Sequence, residues 1–186
     1  TYSGFDFIDE TGKDMFMGLL PPEGVLALEK LMVRNLIHTG TVIARYDAVM
    51  KCGGFDPEIT TFEDFDLWLK VAALRPGNIY GMERSLACYR RHNGQATGDW
   101  RKMHEGWLKV AARLEKDHPD LWEKVRLDAW ICHTEYCASI AYGADDFGEM
   151  RRLMKQVWAT GKLRNFRHPN ALFMTAICLV TSLPAW

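Results

Sequence analysis

The sequence predicts an α/β fold, a layered sheet with helices, followed by an all-helical tail. Two observations carry this. Up to about His92, short β-like runs alternate with helical runs and turns, the pattern of a sheet packed against helices and not of a bundle. From Asp99 onward, apolar residues recur at helical spacing. The α/β part is therefore assigned to residues 1–98 and the helical extension to residues 99–186.

Tyr2–Ile8 reads as a strand, and Asp9-Glu10-Thr11-Gly12-Lys13 as a tight turn. Pro21-Pro22 opens a helical stretch through Val33, with Val25, Leu28, Leu31 and Met32 at helical spacing. Residues 39–45 are β-branched and apolar and predict a strand. Residues 46–52 predict a short helix stopped by Gly53-Gly54, because glycine takes the left-handed conformation that other residues avoid. A strong helical pattern covers residues 63–74 and ends at Pro76-Gly77. Residues 78–82 and 85–90 read as two short strands. In the tail, Trp100, Met103, Trp107, Val110 and Leu114 make one apolar stripe, closed by Asp117-His118-Pro119. A second helix covers residues 120–142, Gly143-Ala144-Asp145-Asp146 turns the chain, and residues 147–160 make a third.

A chain of 186 residues suits one domain with a helical appendage. With 48% apolar and 25% charged residues it can build a core, which excludes a disordered chain. The formal net charge of −1 excludes a general nucleic-acid binder, since phosphate affinity comes from clustered Lys and Arg. No basic stretch followed by an apolar run opens the chain, so no signal peptide is read there. Because the chain starts at Thr1 and not Met, it is expected to be either processed or, as the preferred reading, cut from a longer protein.

Cys52, Cys88, Cys132, Cys137 and Cys178 show no zinc spacing. They are expected to be buried reduced thiols of a cytoplasmic protein. Residues 171–186 are mostly apolar but too short to span a bilayer, which takes roughly 20 such residues. Lys162, Arg164, Arg167 and His168 precede them. Residues 162–186 therefore read either as a peripheral contact with an anionic membrane face or as a terminal helix packed on its own domain.

The richest stretch is Gly53-Gly54-Phe55-Asp56-Pro57 followed by Glu63-Asp64-Phe65-Asp66-Leu67-Trp68-Leu69. Thr60-x-x-Glu63 has capping-box spacing, which predicts a structural role for Glu63. Acids in a first helical turn are also favoured by the helix dipole. Asp66 faces elsewhere on the turn and reads as solvated or as a support. Phe65, Leu67, Trp68, Val71 and Leu74 would bury the helix and fix the direction of Asp64. A carboxylate held in this way can take a proton from a hydroxyl within hydrogen-bond reach.

Four segments follow in order: Asn35-Leu36-Ile37-His38-Thr39-Gly40-Thr41-Val42-Ile43-Ala44-Arg45, then Gly53-Gly54-Phe55-Asp56, then Glu63 to Leu69, then Tyr89-Arg90-Arg91-His92. Together they resemble the C-terminal half of a family 2 glycosyltransferase with the GT-A fold, over roughly residues 1–100. The resemblance implies the C-terminal, acceptor-side part of a GT-A nucleotide-diphospho-sugar transferase fold. It implies Asp64 as catalytic base, with Glu63 and Asp66 in support. Gly53, Gly54, Phe55, Asp56 and Trp68 would lie on the acceptor side. Arg90, Arg91 and His92 would face the donor diphosphate, a guanidinium fork suiting phosphate oxygens. His92 is also a weak candidate metal ligand.

The same resemblance implies inverting transfer from a nucleotide-sugar donor to a hydroxyl of a carbohydrate or lipid-linked acceptor, in polysaccharide or glycoconjugate synthesis. Mg or Mn is expected in the parent enzyme, held by an Asp-x-Asp that precedes the segment beginning at Thr1. Asp64-Phe65-Asp66 spells Asp-x-Asp but lies downstream and opens a helix, so it reads as the base motif. Without the donor half, the isolated chain is expected to be inactive. A reading of another class is a non-catalytic interaction module, with residues 100–160 as a docking surface on a glycosyltransferase-like scaffold, since fold does not establish activity.

Overall fold

A computed structural model describes residues 1–92, 98–161 and 174–178. Four strands form one sheet in the order β2-β1-β4-β3. The central strand is β1, Tyr2–Ile8, whose first four residues are all buried. After the predicted turn at Asp9, β2 (Asp14–Leu19) returns antiparallel, with Phe5 opposite Leu19. On its other edge β1 pairs in parallel with β4, Tyr80–Arg90. The two-residue β3, Gly24–Val25, adds to β4 antiparallel.

Parallel neighbours need a crossover connection. Between β3 and β4 the chain supplies α1 (Leu28–Val33), a 3-10 turn (Thr39–Thr41), α2 (Tyr46–Lys51) and α3 (Glu63–Ala73). The helical part follows as α4 (Trp100–Asp117), α5 (Pro119–Gly143) and α6 (Phe147–Ala159). Asp99 caps α4 by accepting from the Arg101 and Lys102 amides, and Asp146 caps α6 through the Glu149 amide. His118 ends α4, and Pro119 opens α5 where a missing N–H costs nothing.

Four expectations need correction. Residues 39–45 form no strand. The Thr41 amide and hydroxyl both bond the His38 carbonyl, which curls the chain into the 3-10 turn and leaves a single bridge from Val42 to Tyr2. Val25 belongs to β3, so α1 begins only at Leu28; pairing with Tyr80 overrides the helical spacing. The two strands read at 78–82 and 85–90 are one strand, in which Ser3 faces Met82 and Gly4 faces Ser85, so Glu83 and Arg84 bulge out of the ladder. Of the cysteines, Cys137 and Cys178 are buried as expected, but Cys52 and Cys132 are only partly buried and Cys88 is exposed; none is in a disulfide.

One buried cluster runs from Tyr2, Leu31 and Met32 through Phe65, Leu67 and Trp68 of α3 to Trp107 and Val110 of α4 and Trp122 and Ala129 of α5. A second joins Cys137, Ala138 and Ala141 of α5 to Met150, Leu153 and Met154 of α6, with Met174 and Cys178. Each large apolar side chain fully buried in this way contributes roughly 1.5–3 kcal/mol. The α4 stripe lies where expected, with Met103, Trp107, Val110 and Leu114 all buried. α5 is packed by α1, α4 and α6, which explains why its buried residues lie on several faces instead of one stripe.

Gly106 lets α4 touch the segment before α3. A Cβ there would lie 2.1 Å from Thr61 Oγ1 and 2.3 Å from the Thr61 carbonyl oxygen. The Thr61 hydroxyl in turn donates to the Lys102 carbonyl at 2.9 Å. Among the described residues no helix is long and apolar enough to cross a membrane. The basic cluster from Lys162 to His168, and most of residues 171–186, lie outside the described residues.

Candidate functional site

α3 starts abruptly. Phe62 precedes it in the left-handed conformation, at φ 64°, and no side chain caps the helix. The capping box read at Thr60 and Glu63 therefore does not form: the positive φ at Phe62 turns the chain after Thr60, and Glu63 is exposed. The Phe62 ring offsets the backbone cost by packing edge-on against Phe65, His133 and Tyr136, with centroids 5.9, 5.6 and 6.2 Å away.

This entry sets Asp64 between two donors. Asn35 Nδ2 donates to Oδ1 at 3.3 Å, and Thr39 Oγ1 donates to Oδ2 at 2.9 Å. The Phe65 amide adds a third bond to Oδ1 at 2.6 Å. Trp68, one turn along α3, donates its indole N–H to Thr39 Oγ1 at 3.4 Å. The indole thus orients the hydroxyl that orients the carboxylate.

Asp64 and Glu63 line a cavity of about 420 Å³. Phe5 and Phe7 of β1 form one wall, with Tyr89 and Arg91 at the end of β4. Asn35 and His38 form a second, and Cys132, His133, Glu135 and Tyr136 of α5 close the third. The Arg91 guanidinium sits 5.3 Å from the centre of the Phe7 ring. His38 packs between Phe5 and Tyr89, with ring centroids 4.8 and 4.7 Å away, and burial lowers its proton affinity against the pull of Asp64.

Glu135 is the most unusual group on the cavity wall. Only 6% of it is exposed, and its Oε1 has no hydrogen-bond partner among the described residues. Burial raises its pKa to about 7, against the opposing charge of Arg34. The same burial pushes Cys132 up to about 11 and Tyr136 up to about 12, so both stay protonated at neutral pH. The cavity therefore combines an oriented carboxylate, the two cations Arg34 and Arg91, and an acid close to its titration point. That set can bind a polyhydroxyl ligand and move a proton.

Asp66 takes a different position from Asp64. It is 2% exposed, not solvated, and ion-paired to Arg113 Nη1 and Lys70 Nζ, each at 2.6 Å. Arg113 Nη2 reaches Asp56 Oδ2 at 2.7 Å, and this bond holds the Asp56 carboxyl below its usual range. One guanidinium on α4 thus ties the Gly-Gly-Phe-Asp segment to α3. Asp64 and Asp66 do not fit a shared divalent cation, because Asp66 is already neutralised and does not line the cavity.

The other predicted residues are dispersed. Gly53 and Gly54 adopt φ values of 81° and 70°, completing the turn after α2. Phe55 is half-exposed and meets the buried Trp68 edge-on at 6.4 Å. Arg90 donates to the carbonyls of Asp9 and Glu10, which pins the β1–β2 turn. His92 is exposed just beyond β4. Of the predicted set, Glu63, Asp64 and Arg91 line the cavity, and Gly53 to Asp56, Asp66, Trp68, Arg90 and His92 do not. Sequence reasoning missed Glu135 and Arg113, which carry no local signal. Asn35, His38 and Thr39 lay within a quoted segment but had no role assigned.

No protein-family model matches the chain, and no solved structure matches it. Two curated proteins do: uncharacterized glycosyltransferases of Rickettsia felis and Rickettsia conorii, each 29% identical over 102 residues. The match covers 52% of this chain and 16% of each relative. Half of the chain is thus similar to glycosyltransferases, and it spans a small part of the relatives' length.

Proposed function

We propose that this chain is the acceptor-side part of an inverting family 2 glycosyltransferase of the GT-A fold, with Asp64 as its general base. The observation that carries this reading is the seating of Asp64: a carboxylate on a cavity wall, with both oxygens oriented by Asn35 and Thr39. Such a group takes the proton of an acceptor hydroxyl as that oxygen attacks the anomeric carbon. A new C–O bond forms, the bond from the anomeric carbon to the diphosphate oxygen breaks, and the nucleotide diphosphate leaves with the electron pair. Attack in line with the leaving group inverts the anomeric centre.

Arg91, which lines the cavity together with Arg34, would meet negative charge on the ligand. Glu135, whose Oε1 has no hydrogen-bond partner among the described residues, would bond an acceptor hydroxyl. Mg or Mn would neutralise the donor diphosphate, held by residues beyond this chain; the work assigned to Asp64 does not pass through it. The acceptor would be a carbohydrate or lipid-linked carbohydrate in cell-surface polysaccharide or glycoconjugate synthesis, on the cytoplasmic side.

The test is Asp64→Asn in the full-length protein. The folded variant is expected to lose transfer activity; near-normal transfer would sink the role of Asp64. Calorimetry of the 186-residue chain with nucleotide sugars and Mn is expected to show no tight binding. Tight binding would contradict a donor site built elsewhere.

A further inference from the structure

His104 of α4 and His133 and Cys137 of α5 converge between the two helices. His104 Nδ1 lies 3.1 Å from His133 Nε2, and Cys137 Sγ lies 3.3 Å from the same nitrogen. All three atoms fall within 4.8 Å of one another. His133 and Cys137 are buried, and His104 is half-buried. The α5 pair is spaced i, i+4, which puts both side chains on one face.

An imidazole nitrogen offers one in-plane lone pair or one proton. His133 Nε2 can therefore make one good hydrogen bond although two groups crowd it, and Cys137 Sγ also reaches the Trp100 carbonyl at 3.9 Å. A cation inside the triangle would bond all three atoms at once. With zinc–nitrogen and zinc–sulfur distances of about 2.05 and 2.3 Å, tetrahedral edges come to about 3.3 Å between nitrogens and about 3.6 Å between nitrogen and sulfur. The two edges to His133 Nε2 are shorter by only a few tenths of an ångström, and the third, between His104 Nδ1 and Cys137 Sγ, is no longer than 4.8 Å, so side-chain rotations would bring the three atoms around one centre. Trp107 stacks on His133 with centroids 4.4 Å apart and planes 3° apart, which fixes the orientation of this imidazole.

We propose that His104, His133 and Cys137 form a zinc site that staples α4 to α5, with water in the fourth position. Two imidazoles and a thiolate suit zinc and not the hard cations that prefer oxygen. His133 also lines the cavity, so the staple would brace its α5 wall. Cysteine spacing does not signal the site, because two of the ligands are histidines and one lies on another helix. The staple takes no part in the reaction proposed above.

The experiment is metal titration of the 186-residue chain after chelator treatment, with zinc and with cobalt(II) as the spectroscopic probe. One equivalent of either metal is expected per chain, with a rise in Tm. The cobalt form should show intense tetrahedral visible bands and a thiolate-to-cobalt charge-transfer band in the near ultraviolet. Cys137→Ser should abolish the charge-transfer band. His104→Gln should weaken cobalt binding by more than the about 10- to 100-fold typical of losing an outer-shell partner. The folded wild-type chain settles the matter even if both variants unfold. Failure to take up one equivalent, or a cobalt spectrum without the thiolate band, would overturn the site, as would a band that survives in Cys137→Ser.

Discussion

Asp64 and Asp66 stand two residues apart on one helix and live in opposite surroundings. Residues at i and i+2 on a helix do not face each other. Asp64 therefore opens onto a cavity and is oriented by the neutral donors Asn35 and Thr39, while Asp66 is buried against Lys70 and Arg113. A neutral hydrogen-bond frame leaves a carboxylate free to accept a proton in a reaction. A cationic frame fixes the other as a charged tie between elements. The difference teaches that an Asp-x-Asp on a helix is two separate groups, and that their partners decide what each can do.

The sharpest way to break this comparison is to remove each charge and read two quantities. Asp64→Asn in the full-length protein should lower transfer by about 10²- to 10⁴-fold, the usual weight of a general base, with little change in Tm. Asp66→Asn should show the reverse, a stability loss with transfer largely kept wherever the protein is folded. Activity and thermal melts on the same preparations check both. Equal effects of the two variants on transfer would end the division of roles.

Next in size is the tie itself. Arg113→Ala leaves Asp66 buried with Lys70 as its ion-pair partner among the described residues and releases Asp56 from α4. Removing one partner of a buried pair costs about 3 kcal/mol or more where the charge is left without compensation; Lys70 still compensates Asp66, so the loss should be about 1–3 kcal/mol. Urea unfolding should show that loss, and a change below about 1 kcal/mol would return the pair to the ordinary worth of exposed ion pairs. Gly106→Ala should cost a similar amount, about 1–3 kcal/mol, by pressing a methyl group into the backbone of Thr61 and lifting α4 from the start of α3. Unchanged stability in that variant would mean that the contact between α4 and Thr61 yields easily.

Much of the helical structure was legible because its signals are local. The Gly53-Gly54 stop, the pattern of α3, the α4 stripe and the Asp117-His118-Pro119 junction each depend on residues within a few positions. What escaped depends on partners far along the chain. β2 is an edge strand whose Met15, Phe16 and Met17 are exposed, so it shows no clean alternation. Val25 joined a strand because Tyr80 pairs with it. The candidate site divides in the same way. The position of Asp64 at the head of α3 was readable, whereas Arg113 reaches Asp66 across 47 positions. Glu135 enters the cavity only because α5 packs where it does. The capping box failed because a left-handed Phe62, held by rings from α5, set the start of the helix.

The smallest expected effect separates the two faces of α3 by pH. On the Asp64 side, burial depresses the proton affinity of His38, with Asp64 pulling the other way and Tyr89 as its other ionisable neighbour. The unfolded chain then takes up a proton below about pH 6.5 that the folded chain refuses. Stability from this side is greatest above that pH and falls as pH drops toward the lower folded-state value. On the Asp66 side, Arg113 depresses the Asp56 carboxyl, so its contribution is present above the unfolded value of about 3.9 and is lost as pH falls through the folded value. Acid should therefore weaken the two faces in separate windows. Urea midpoints measured from pH 8 to pH 3 for the wild type, His38→Gln and Arg113→Ala check this. His38→Gln should reduce the slope of the upper window without abolishing it, because buried His104 and His133 contribute in the same sense, and Arg113→Ala should flatten the lower one. A single window affected by both variants would mean that the faces of α3 titrate as one unit.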